Sequence, residues 1–380
     1  MNAKPSLAAI FHPPSGASGP EQLVAKARRA TACDLVTSLA EFDLETVILT
    51  PESEAVTFAS SVQLHRTAED GPFHFGESLK QLIRERRPNG LLVFGSGSGG
   101  LLSARHLGSL CRFVLRPSPS AVFNSFYSCD FAAIAKAEGL LDLELPQTDN
   151  ALGFALADAG WLCHTMTRAA DTQFDIDTPA DAHILARSGR GGGHTRAFLD
   201  RMAVPHPTLG AVLERLADRS AVVSLIGRLS PKTWSDVESQ FACRTSALVE
   251  GRGMRSHGLR GSPVLRQALR DEGPRAFFRR LAESADAAII DSRPLLIDAA
   301  SPMPPAADRF ACDLLEVSGI ADPHWAEFAA EAADAAIPIL LGGHSIVSGG
   351  LYLMAEACWN GRDMERRLHP DLFEPDKEPS

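Results

Sequence analysis

The chain is short of aromatic residues. Phe, Trp and Tyr make up 7% of its 380 positions, with 2 tyrosines and 4 tryptophans. No apolar run approaches the roughly 18 residues of a membrane-spanning helix, and no basic, apolar leader opens the chain. The 7 cysteines, Cys33, Cys111, Cys129, Cys163, Cys243, Cys312 and Cys358, form no C-x-x-C pair and are odd in number. That spacing signals neither a disulfide framework nor a zinc site. Positive charge is in deficit, with 37 Lys and Arg against 47 Asp and Glu and a formal net charge of −10. A general nucleic-acid or anionic-membrane binder needs the opposite sign, but a local basic pocket for one phosphorylated ligand is compatible with this total. The expectation is a cytoplasmic protein with reduced thiols. Its partners should be small molecules or proteins, with self-association left open.

Hydrophobic residues at 45% and charged residues at 22% describe an Ala- and Leu-rich globular chain. Its length suits two domains with substantial cores. Apolar strand runs alternate with amphipathic helical stretches on both sides of Ser188-Gly-Arg-Gly-Gly-Gly-His-Thr, so the chain reads as two α/β domains. The expected divisions are 1–187, a glycine-rich linker at 188–207, a second domain at 208–360 and a charged, weakly ordered tail at 361–380.

The most informative stretch is Asp171 to Asp181, D-T-Q-F-D-I-D-T-P-A-D. Alternation over Phe174 to Asp177 predicts a short strand with Asp175 and Asp177 on one face. Thr178, Pro179 and Asp181 are a helix-start signal. Two carboxylates at a strand-to-helix junction make an oxygen-rich site that suits Mg²⁺ bridging to substrate phosphates. The alternative is a pair of solvated or capping residues.

F-D-I-D-T-P-A-D resembles the D-I-D-T-P-x-D signature of molybdopterin nucleotidyltransferases and phospholactate guanylyltransferases. The resemblance extends loosely over the first half. It implies a nucleotidyltransferase-like, glycosyltransferase-A-like mixed sheet flanked by helices, followed by a second domain expected to be a Rossmann-like open sheet. It also implies Mg²⁺ as cofactor, with Asp177 as catalytic residue and metal ligand and Asp175 or Asp130 as the second carboxylate. The family opens with a glycine-rich loop carrying a base. Here His12 to Pro20 contains Gly16 and Gly19 but no Arg or Lys, and the nearest bases, Lys26, Arg28 and Arg29, fall inside the helix that follows. Gly95 stands where the family usually carries another metal-binding aspartate.

Further candidates accompany the motif. Gly95, Gly97 and Gly100 in G-S-G-S-G-G follow an apolar strand run and either cradle phosphate or allow close packing. Asn124, Ser128 and Asp130 offer polar groups to a substrate; the alternative is that Ser128 or Asp130 caps a helix expected over Phe131 to Glu138. Asp149 and Arg168 are substrate-side candidates. In the second half, Lys232 beside the cap Ser230 and Pro231, strengthened by Arg228, is an anion-site candidate or a solvated lysine. Gly342, Gly343, His344 and Ser345 either bind an anion at a helix start, with His344 or Ser345 available for proton transfer, or allow close packing. The loop Glu250 to Gly258 and the pair Asp291 and Arg293 complete the list.

These features favour Mg²⁺-dependent transfer of a nucleotidyl group to a small phosphorylated or hydroxylated acceptor. Two alternatives remain: a non-catalytic nucleotide or sugar-phosphate binder, and an NAD(P)-dependent oxidoreductase using Gly95 to Gly100. The oxidoreductase would need an acidic residue about 20 positions on, where the chain has Arg-Pro-Ser-Pro-Ser-Ala.

Overall fold

The computed structural model describes residues 6–59, 62–67, 73–202, 204–249, 263–297 and 303–362. The Glu250 to Gly258 loop and almost all of the expected tail lie outside these residues. Among the described residues eleven strands form two sheets. The first contains β1 (Leu7–Phe11), β2 (Glu45–Pro51), β3 (Leu64–Thr67), β4 (Gly90–Gly95), β5 (Ser120–Phe123), β6 (Phe131–Ala135) and β7 (Leu162–Thr165). Their order is β3-β2-β1-β4-β6-β5-β7. β6 is antiparallel to both β4 and β5, and the other pairings are parallel. The second sheet holds β8 (Val222–Gly227), β9 (Arg244–Val249), β10 (Ala287–Asp291) and β11 (Ile339–Gly342) in the order β11-β10-β8-β9, all parallel. The chain is thus α/β with a mixed seven-stranded sheet and a separate parallel sheet. The second sheet, at four strands, lacks the six-strand order of a dinucleotide-binding Rossmann domain among the described residues.

Local sequence accounts for most elements. β4 and β10 are near-continuous apolar runs and are covered on both faces, as parallel central strands must be. The helix Gly19–Leu39 starts at a reciprocal cap in which Ser18 N–H donates to Glu21 Oε2 at 3.0 Å and Glu21 N–H donates to Ser18 Oγ at 3.3 Å. Its buried face runs through Val24, Ala27, Thr31, Leu35 and Leu39 at helical spacing. One helical expectation fails: Phe131 to Ala135 is a strand, because F-A-A-I-A is apolar at every position and fills the slot between β4 and β5.

The expected glycine-rich linker contains a packed helix, Gly193–Leu199. Asp34, from the first long helix, caps it by accepting from the N–H groups of His194 and Thr195 at 2.8 Å each. A shared apolar core joins the sheets, running from Val24, Ile176 and Leu185 to Val223, Ile289 and Leu340. Within it the helix Gly349–Ala357 lies against Pro179–Ser188 and the turn before it. A side chain at Gly349 would overlap the backbone of Gln173 and Phe174, so glycine permits this approach.

Candidate functional site

The D-I-D segment forms a single antiparallel bridge, Ser98 with Asp175, instead of a full strand. Ile176 N–H donates to the Gly97 carbonyl at 3.2 Å. Phe174 and Ile176 are buried while Asp175 and Asp177 are half-buried, so the apolar and acidic residues divide between faces as their alternation suggests. Thr178 then starts the helix Pro179–Ser188, where buried Asp181 accepts from Thr178 N–H at 2.7 Å and from Asp177 N–H at 3.0 Å. The bridge brings the motif against the loop after β4. A Cβ on Gly97 would stand 2.6 Å from Asp175 Oδ1.

Two cavities meet at this junction. A cleft of about 740 Å³ opens over the carboxyl ends of β1 to β4, lined by their terminal residues Phe11, Pro51, Thr67 and Gly95. Phe73, Phe75 and Leu49 form its apolar wall, and Asp149, Asp175 and Asp177 its acidic side. Carboxyl ends of parallel strands are where open α/β sheets bind ligands. The second cavity, about 380 Å³, lies between the sheets and is lined by Arg28, Arg228, Arg293, Arg309, Gly343 and His344 among others. His12, Pro13, Pro14, Arg28 and Asp177 border both.

Asp177 is the shared post. Its Oδ1 accepts from Arg28 Nη2 at 3.0 Å, and its Oδ2 lies 3.4 Å from His344 Nδ1. Arg28 also donates through Nε to the Ile176 carbonyl at 2.5 Å. His12 is 3% exposed and places Nδ1 3.0 Å from Ser96 Oγ. Its Nε2 has no hydrogen-bond partner among the described residues. Burial, with smaller contributions from Arg28 and Arg29, pulls the His12 pKa down to about 4, so the ring is neutral at pH 7.

The acids repel one another. Burial first, then the charges of Asp130 and Asp177, push Asp149 up to about 7. Burial, Asp177 and Asp130 likewise hold Asp175 well above the usual carboxylate range. Asp181 is raised to about 7 by burial and Asp177. Such a cluster is relieved by protons or by a cation. Among the described residues no three His, Cys, Asp or Glu side chains converge into a ready-made metal cage. Mg²⁺ does not require one, since it binds through one or two carboxylates plus water and substrate phosphates. The donor chemistry of Asp175 and Asp177 fits that use.

The remaining sequence candidates separate. Gly95 and Gly97 line the cleft, but Gly100 faces away, close against the Thr31 side chain. Asn124 is engaged inside the β5–β6 turn: Nδ2 donates to Asp130 Oδ2 at 2.6 Å, and Oδ1 accepts from the N–H groups of Asp130 and Phe131. Ser128 donates to Asn150. Arg168 and Lys232 lie in a different surface groove, where Arg168 donates to Thr233 Oγ1 at 3.3 Å and Lys232 pairs with Asp236. Arg228 does not join Lys232 as the sequence suggested, because Asp291 draws it away through Nε at 2.6 Å and Nη2 at 2.9 Å. Gly342 packs on Ile346, and Ser345 donates to the Asp175 carbonyl at 2.7 Å, tying the second sheet to the motif. Sequence reasoning noted Arg28 only as a helical base and missed His12 and Arg309. Immediate succession to β1 was the available signal for His12.

No family model and no curated protein matches the chain. Solved structures show partial likeness. A nucleotide-diphospho-sugar transferase from Desulfovibrio desulfuricans G20 is 13% identical with a TM-score of 0.39, covering 51% of this chain and 94% of its own. A cytidylyltransferase from Leptospira borgpetersenii serovar Hardjo-bovis is 12% identical with a TM-score of 0.38, covering 54% and 100%. A CMP:2-keto-3-deoxy-manno-octonic acid synthetase complexed with CTP is 10% identical with a TM-score of 0.34, covering 43% and 89%. Each of these neighbours covers about half of the chain, and the chain's function has to be read from its own residues.

Proposed function

We propose that the protein is a nucleotidyltransferase that moves a nucleotidyl group from a nucleoside triphosphate to a small phosphorylated or hydroxylated acceptor. The observation that carries this reading is the cleft at the carboxyl ends of β1 to β4, apolar on one wall and floored by mutually repelling carboxylates. The apolar wall of Phe73, Phe75 and Leu49 suits a nucleoside. Asp175 and Asp177 would hold Mg²⁺, which when bound supplies neutralisation of phosphate charge. The chain's residues do the positioning. Arg28, anchored by the Ile176 carbonyl and Asp177, presents a guanidinium at the border of both cavities, where a phosphate oxygen can be gripped. An acceptor oxygen forms a bond to the α-phosphorus while the bond to the bridging oxygen breaks, and pyrophosphate leaves with the electron pair. Asp149, whose pKa is raised to about 7 by its surroundings, is in its ionised form a strong enough base to take the proton of a hydroxyl acceptor.

The non-catalytic alternative draws on one feature, the engagement of both Asp177 oxygens by Arg28 and His344. The oxidoreductase alternative loses its setting. Gly95 to Gly100 does not open directly onto a helix, since the next one starts at Ala104 behind its cap Ser103, and antiparallel β6 separates β4 from β5. A panel of nucleoside triphosphates and dinucleotides, with and without Mg²⁺, tests the proposal by thermal shift and pyrophosphate release. Stabilisation by about 2.7 kcal/mol at roughly 100 Kd of one triphosphate is expected to depend on Mg²⁺ and to weaken in Asp177→Asn. Binding without pyrophosphate release for any acceptor tried would favour the non-catalytic reading. Stabilisation by dinucleotides alone would overturn both.

A further inference from the structure

The cavity between the sheets is built from strand ends of both. Arg228 follows β8, Arg293 lies two residues beyond the end of β10, and Gly343 and His344 follow β11. They face His12 to Gly16 after β1, and Arg28. Four guanidiniums therefore converge on about 380 Å³.

They are unequally neutralised. Arg293 is buried and paired through Nη2 with Asp313 Oδ2 at 2.6 Å, so it stiffens the wall. Arg228 gives Nε and Nη2 to Asp291, and among the described residues its Nη1 has no acceptor and is available to a ligand. Arg309 differs. Among the described residues its hydrogen bond is to the Pro304 carbonyl, from Nε at 3.1 Å, and no carboxylate lies within ion-pair distance. Its guanidinium carbon stands 5.6 Å from the Phe310 ring centroid. Burial, together with the positive charge of Arg293, pulls the Arg309 pKa below its ordinary value. A guanidinium held partly out of water beside another cation is stabilised by an anion. Independently, His12 lines the same cavity with its Nε2 unpartnered among the described residues. Of the carboxylates lining the cavity, Glu21 is engaged by Ser18 N–H and Asp177 by Arg28 and His344.

We infer that this cavity is an oligophosphate pocket, in which Arg309, Arg228, His344 and Arg28 hold the pyrophosphate portion of the nucleotide whose nucleoside lies in the adjoining cleft. The second sheet is then part of the binding site, supplying charge that the loop after β1 lacks. Arginine forks match phosphate oxygens two at a time, and the shared border at His12, Arg28 and Asp177 lets one ligand span both cavities. This inference rests on the nucleotidyl-transfer reading for its ligand but is tested separately.

Inorganic pyrophosphate is titrated calorimetrically into the full chain in metal-free buffer containing a chelator. Wild type should bind it, and Arg309→Gln should bind about tenfold or more weakly, the size of a lost charged hydrogen bond. Arg309→Lys should recover part of the loss, and the unfolding midpoint should not move. Phe73→Ala, on the cleft wall, should leave pyrophosphate affinity unchanged while weakening nucleoside triphosphate binding. If Arg309→Gln proves unstable, His344→Gln is measured in its place and should weaken pyrophosphate in the same sense. No pyrophosphate binding by wild type, or unchanged affinity in a folded Arg309 or His344 variant, overturns the pocket. Pyrophosphate binding that depends on Arg309, with no triphosphate bound more tightly than pyrophosphate, would preserve the pocket and sink the nucleotidyl-transfer reading.

Discussion

Replacing Arg293 with methionine tests what fixes the wall between the cavities. Arg293 and Asp313 have side-chain exposures of 6% and 0%, and each guanidinium nitrogen at the fork meets its own carboxylate oxygen. Nη1 also donates to the Gly342 carbonyl at 3.1 Å, directly before the loop that carries His344. Removing one partner of such a pair leaves a buried charge without compensation, a loss of about 3–5 kcal/mol. Total stabilities commonly lie near 5–15 kcal/mol, so the shift in denaturation midpoint should be large. Burial already pushes the Asp313 pKa up, and Arg293 is the main influence holding it down. Without Arg293 the folded state holds the Asp313 proton to higher pH than the unfolded chain does. The penalty should therefore grow as pH rises above about 4, and shrink below it as Asp313 becomes neutral in both states. Arg293→Met/Asp313→Leu removes both charges and should return to within about 1 kcal/mol of wild type. Urea denaturation of the three proteins at pH 4.5 and 7.5 gives the comparison. A single variant that loses less than about 1 kcal/mol at pH 7.5, or a double variant as unstable as the single, would refute the reasoning.

Two further outcomes follow from the acidic floor and the sheet junction. Asp149 has a folded-state pKa of about 7, above its unfolded value, so the folded protein binds the extra proton and this group's contribution to stability falls as pH rises from about 4 through 7. Asp149→Asn should accordingly exceed wild type in unfolding midpoint at pH 8 in metal-free buffer and lose that advantage at pH 4, and a pH-independent difference would count against the repulsion. Gly349→Ala should destabilise by about 1–3 kcal/mol, because the added methyl overlaps the Gln173 and Phe174 backbone. A midpoint equal to wild type in denaturant would show that the two segments separate freely.

Local patterns account for much of what the sequence revealed. The strand runs Leu7–Phe11 and Gly90–Gly95, the Thr178-Pro179-Asp181 helix start and the facing of Asp175 and Asp177 all follow from neighbouring residues, through periodicity, capping and backbone restriction. Phe131–Ala135 departs from the helix expected there because a short apolar run fits a buried helix or a buried strand, and only its two sheet neighbours decide between them. The residues of the candidate site stand out in the sequence where they are acidic and not where they are cationic. Arg28 reaches Asp177 across 149 positions of sequence, and Arg228 turns to Asp291 instead of Lys232 because the β8–β10 pairing sets that carboxylate beside it. Hydrophobic period and turn chemistry are written residue by residue along the chain. Which charge meets which depends on strand order and on two sheets placed with their carboxyl ends across one cavity, and those long-range choices were made by tertiary packing alone.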